Sequence, residues 1–126
     1  MINSIAKKGF LTLAFMMLPT LALAHTALKT STPADGAMVA IAPAKIDLQF
    51  SEAVRLIRIE ITANGKTLET AFKPAAEPVA TYAIDTPDMV DGNYTVNWAA
   101  IGHDGHTVAN SFSFTVDSSV AASDAQ

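Results

Sequence analysis

Three histidines and one aspartate carry the chemistry open to this sequence. His25 follows Ala24, and His103, Asp104 and His106 fall together in Gly102-His-Asp-Gly-His106. The first 24 residues read as a secretory signal peptide: Lys7 and Lys8, an apolar run over 10–18, and the small-x-small ending Ala22-Leu23-Ala24. That run is too short to span a bilayer. Cleavage after Ala24 makes His25 the first residue, and its α-amine and Nδ1 can then close a chelate ring on one metal ion. Among first-row divalent ions, Cu(II) binds such nitrogen and oxygen donors most tightly. The amine titrates near ~8 and the imidazole near ~6.5, so a metal displaces few protons at neutral pH. By position alone, His25 also reads as an ordinary terminal residue.

The second feature is the short histidine-rich segment. A carboxylate and an imidazole two residues apart project the same way from an extended chain, and Gly105 permits a bend that brings Asp104 and His106 together. The alternative is a polar loop in which Asp104 only forms an Asx-type turn. No other constellation stands out. Glu52, a lone acid at a strand end, reads as a solvated charge. Met38 and Met89 are isolated and read as packing residues.

The elements that must position these residues are strands. No segment keeps helical periodicity for three turns, whereas alternating and β-branched runs recur between turn signals. Ile46-Asp-Leu-Gln-Phe50 alternates strictly, and Ile57, Ile59 and Ile61 form a second alternation from which Leu56 stands apart. Asn64-Gly65 predicts a type I′ hairpin turn before Lys66-Thr-Leu68. Further strands are expected over 79–84, 94–98 and 111–116, and Pro33, Pro43, Pro74, Pro78 and Pro87 all fall between runs. About seven short strands at this spacing predict an all-β fold, a β-sandwich with Greek-key connections. Its core would contain Phe50, Ile59, Tyr94, Trp98, Phe112 and Phe114. Residues 25–116 make the domain and 117–126 a patternless, mobile tail.

Composition removes other options. About 100 residues after processing is one domain with one core. Once Lys7 and Lys8 leave, six Lys and Arg face 12 Asp and Glu, and an acidic chain without a basic cluster is not built for nucleic acid. The exported chain has no Cys, which excludes disulfides, a thiol nucleophile, Cys zinc sites and blue-copper sites.

In ordered motifs across nearly the whole processed chain, the sequence resembles the CopC family of periplasmic copper-binding proteins. The resemblance rests on His25 directly after the signal, Ser31-Thr-Pro-Ala-Asp-Gly36, Ala42-Pro43 and Ile46-Asp-Leu-Gln-Phe-Ser-Glu52. It continues through Gly92-Asn-Tyr-Thr-Val-Asn-Trp98, Asp104-Gly-His106 and Ser111-Phe-Ser-Phe-Thr-Val116. It implies a cupredoxin-like sandwich that binds one Cu(II) through the amine and imidazole of His25, Asp104 and His106, with Glu52 close by as an outer or axial group. It also implies a monomeric carrier or buffer in the periplasm, used in copper homeostasis or resistance, with no enzymatic activity and with an inner-membrane transporter of the CopD type as partner. The Met-rich Cu(I) site of some members is not expected, because this chain has no Met-rich loop. His103 stands where the family usually has a small residue, and it is read as a non-ligand, with a weak auxiliary site as the alternative. Asn110 stands where Gly is common. Two other functions compete: a copper oxygenase built on an N-terminal histidine, and an immunoglobulin-like module in which the histidines are incidental.

Overall fold

The computed structural model describes residues 27–120. The signal peptide expected over 1–24 and His25 lie outside the described residues. Seven strands follow in order: β1 (Leu28–Thr32), β2 (Ala37–Val39), β3 (Lys45–Ala63), β4 (Lys66–Leu68), β5 (Val79–Asp85), β6 (Gly92–Ile101) and β7 (Thr107–Val116). The fold is an all-β sandwich made from a curled sheet. β3 belongs to both layers. Its first half pairs antiparallel with β1 and β5, and its second half pairs antiparallel with β4 and β6. β7 adds to β6, and β2 adds to the last three residues of β7 in parallel.

The runs read as separate strands over 46–50 and 56–61 are therefore one strand of 19 residues. Continuity raises a problem of phase. Ile46, Leu48, Phe50, Val54 and Leu56 are buried on even positions, while Ile59 and Ile61 are buried on odd ones. A side-chain period of two would carry the even phase on to Arg58 and Glu60, burying two charges. A register shift against β6 between Leu56 and Arg58 resolves this, as an extra residue in a bulge must. Ile57 is the residue spent on it. It is only half-buried, and the core position expected for it belongs to Leu56. The passage between layers falls at Ser51, Glu52 and Ala53, three successive exposed residues. Tyr82 secures the far side of this crossing: its hydroxyl donates to the Val54 carbonyl and accepts from the Leu56 N–H at 3.1 Å.

The six core residues expected from the sequence are all buried. An edge-on aromatic contact ties the two layers together, Phe50 meeting Trp98 at 5.2 Å between ring centroids, and Phe50 meets Tyr82 of its own layer edge-on at 6.0 Å. The Asn64-Gly65 turn closes β3 on β4 with φ of 52° and 78°, the two positive values that a type I′ turn requires. The segment after Val116 begins bound rather than loose. The Asp117 N–H donates to the Val39 carbonyl, and the Ser118 hydroxyl donates to Asp91 at 2.7 Å.

The outer edge of β7 is capped by side chains beyond its first residues. Ser113 turns its N–H to Asp35 Oδ1 (3.0 Å) and its carbonyl to the Gly36 N–H (2.7 Å). By the period of two, residues 107, 109 and 111 face the same outer edge. There the Ser111 N–H is taken by Asn110 Oδ1 at 2.8 Å. Unpaired edge groups are templates for strand addition, and capping them protects against it. The double variant Asn110→Ala/Asp35→Ala is accordingly expected to self-associate more than the wild-type chain. Sedimentation velocity at matched concentrations checks this, and identical sedimentation would mean the caps do not guard the edge.

Candidate metal centre

β6 and β7 are joined at one end of the sandwich by a tight hairpin whose geometry follows from its residues. The Gly102 carbonyl accepts the Gly105 N–H at 3.0 Å, and the Gly102 N–H donates to the His106 carbonyl at 3.0 Å. Gly105 has φ of 84°. A turn followed by a residue in the left-handed region is a common three-residue hairpin closure, and that region disfavours a side chain.

The closure places Asp104 against His106. Asp104 Oδ1 accepts the His106 N–H at 3.0 Å, and Asp104 Oδ2 lies 2.9 Å from His106 Nδ1. Both readings of this segment thus hold at once, since the Asx-type turn is what brings carboxylate and imidazole together. The two hydrogen bonds from His106 hold the Asp104 carboxyl below the usual carboxylate range, and the carboxylate in turn raises the His106 imidazole above its ordinary value. An ionised carboxylate can only accept, so Nδ1 carries the proton and Nε2 keeps the free lone pair when the ring is neutral. The side chains are 84% (His106) and 58% (Asp104) exposed, so that lone pair is open to an incoming ion. Asp104 sits at the nitrogen opposite that lone pair, so for one ion to be held by both residues the Asp104–Nδ1 contact must first open.

The His106 ring in the metal-free protein is therefore expected to titrate above an ordinary histidine, and Asp104→Asn should bring it down. A pH series of the ring proton shifts by NMR checks this. An unchanged midpoint in the variant would show that the contact does not persist in solution.

The other expected site residues are dispersed. His103 turns to a different hollow, lined by Ala53, Arg55, Ala76, Pro78 and Ile101, where the Arg55 cation opposes a second positive ion. Glu52 is exposed on β3, and among the described residues no group of three or more His, Asp or Glu side chains gathers around a common point. Met38 is exposed on β2, while Met89 packs partly buried against the core.

The sequence reading passed over Ser51. Its hydroxyl oxygen accepts the Ala27 N–H at 3.0 Å and its own N–H donates to the Ala27 carbonyl at 2.9 Å. This clasp fixes the chain two residues after His25, directly beside Glu52. The only sequence signal for it was the Phe50-Ser51-Glu52 run. From Ala27 a groove of about 610 Å³ opens between β1 and β7, with Ala27 and Leu28 on one wall, Val108 and Asn110 on the other, and Trp98 and Phe112 lining it.

The family model of the CopC domain matches residues 28–117. The chain belongs to the CopC family. Copper resistance protein C of Escherichia coli is 34% identical over 125 residues, covering 90% of this chain and 98% of that protein. Copper resistance protein C of Pseudomonas syringae pv. tomato is 31% identical over 122 residues, covering 87% and 96%. Solved structures agree on the CopC fold. CopC from Methylosinus trichosporium OB3b superposes with a TM-score of 0.61 at 29% identity, over 74% of this chain and 94% of that one. PcoC from Escherichia coli, described as a methionine-rich copper resistance protein, superposes with a TM-score of 0.60 at 32% identity, over 75% and 100%.

Proposed function

We propose that this chain is a periplasmic copper resistance protein that carries or buffers one Cu(II) ion per chain. The ligands are the α-amine and Nδ1 of His25, exposed by signal cleavage, with His106 and Asp104. The observation that carries this reading is the Asp104–His106 pair on the β6–β7 hairpin, a carboxylate and an imidazole that the turn holds together and leaves exposed. β1 is antiparallel to β3, with Leu28 opposite Phe50. Further along β3, past Glu52, Arg55 pairs with Ile101 at the base of the hairpin. His106 stands two residues from Val108, on the wall of the groove that faces Ala27.

Three nitrogens and one oxygen suit the tetragonal preference of Cu(II). Glu52, beside the Ser51 clasp, serves as an outer or axial group, and His103 is not a ligand. Because Asp104 fills an in-plane position that oxygen activation would need, the donor set favours carriage over oxygenase chemistry. A membrane transporter of the CopD type is the partner that receives or supplies the metal.

Copper EPR on protein processed to begin at His25 tests this directly. The expected result is a tetragonal Cu(II) spectrum that survives dialysis at one copper per chain. A chain that retains no copper would instead be an immunoglobulin-like module with incidental histidines.

A further inference from the structure

We propose that a hollow at the base of the β6–β7 hairpin binds a small monocarboxylate, with the Arg55 guanidinium as its cation and the His103 ring as a second donor. Asp104 and His106 do not line this hollow, so the proposal stands apart from the Cu(II) reading.

The hollow is built by the register of β3. Arg55 stands opposite Ile101 across β3 and β6. Its chain neighbours Val54 and Leu56 are fully buried, so the period of two turns Arg55 to the outer face. Ala53 and His103, two positions along from Arg55 and Ile101, line the same hollow. The other edge of β3 supplies the facing wall. There the Ala75 N–H donates to the Leu56 carbonyl at 2.9 Å, and Val79 stands opposite Val54. The strap between them, which carries Ala76 and Pro78, is thus anchored on the two residues that flank Arg55. The hollow holds about 310 Å³, at the small end of ligand sites. Only Arg55 and His103 bring polar side chains to it, and no carboxylate lines it. Arg58 on the same strand is paired with Glu60 at 2.9 Å, whereas among the described residues the Arg55 side chain has no ion pair or hydrogen bond. A planar guanidinium presents paired N–H groups that match the two oxygens of a carboxylate. A histidine ring donates through one nitrogen in either neutral tautomer. The walls of Ala53, Ala76, Pro78 and Ile101 offer no further donor and suit a compact hydrocarbon body. The ligand class is therefore a carboxylate on a short or branched apolar group.

Amide NMR titration of the metal-free processed chain with isovalerate, at one fixed pH, tests this. Saturable shifts at Ala53, Arg55, Ile101 and His103 are expected, with a dissociation constant on the order of millimolar. Isovaleramide, the uncharged counterpart, should give none. Formate, which lacks the apolar body, should bind several-fold more weakly. Arg55→Gln should weaken isovalerate binding at least about tenfold, and His103→Ala roughly threefold. Both residues are exposed, so the shifts of core residues should stay unchanged in either variant. Shifts that fail to saturate, isovaleramide or formate binding as tightly as isovalerate, or full affinity in Arg55→Gln would each overturn the proposal and leave the Cu(II) reading intact.

Discussion

One glycine added ahead of His25 is expected to lower the Cu(II) affinity of the chain by about a hundredfold or more. The chelate needs the amine and Nδ1 of the same residue. An added residue turns that amine into an amide, which must lose its proton before it can bind, and so breaks the six-membered ring of metal, amine, Cα, Cβ, Cγ and Nδ1. What remains is a single imidazole ahead of Ala27 together with the hairpin pair. The clasp on Ser51 and the Asp104–His106 contact are untouched, so the extended chain should fold and melt like the native one. Competition titration of chains beginning at His25 and at Gly-His25 checks this. Equal affinities would mean the amine is not a ligand and would return His25 to the role of an ordinary terminal residue.

Reduction is expected to release the metal. The proposed donors are nitrogen and oxygen in a planar set, whereas Cu(I) seeks thiolate, thioether or linear coordination. The chain has no Cys and, after processing, only Met38 and Met89. Met38 lies on β2 beside the end of β7, at Thr115, whereas His106 immediately precedes the start of β7. Neither methionine can substitute for the lost preference at the hairpin. Anaerobic reduction of the loaded protein in the presence of a Cu(I)-specific chelator should transfer most of the copper to the chelator. Retention of Cu(I) with an affinity comparable to that for Cu(II) would contradict the donor set. The E. coli relative PcoC is described as methionine-rich, so the same experiment on that protein is an informative comparison.

How far the sequence could be read depended on how local each feature is. The hairpin pair was legible because its causes lie within five residues: a bend that needs Gly105, and a carboxylate two positions from an imidazole. The Asn64-Gly65 turn was legible for the same reason, since positive φ at two adjacent residues is a property of those residues. The core aromatics were legible through alternation alone. Ile57 was not, because the alternation over 57–61 is self-consistent as a segment. Only the continuity of β3 with the even-phase residues before it forces a bulge that costs Ile57 its place. His103 illustrates the same limit. Its neighbours in sequence are Gly102 and Asp104, but its surroundings are set by Arg55 on β3 and Pro78 just ahead of β5, both far away in the chain.

By itself, the sequence determined the class of fold, the core faces, the absence of thiol chemistry and the closeness of Asp104 to His106, because each follows from residue type and short-range spacing. Tertiary structure alone decided that β3 serves both layers, that the edge of β7 is capped by Asp35 from 78 residues away, and that Ala27 is held by Ser51 across 24 residues. These are matters of register between distant strands. A period of two states which face a residue takes but not which residue it will stand beside. The Ala27–Ser51 clasp is a contact of that second kind, and it depends on how β1 lies along β3.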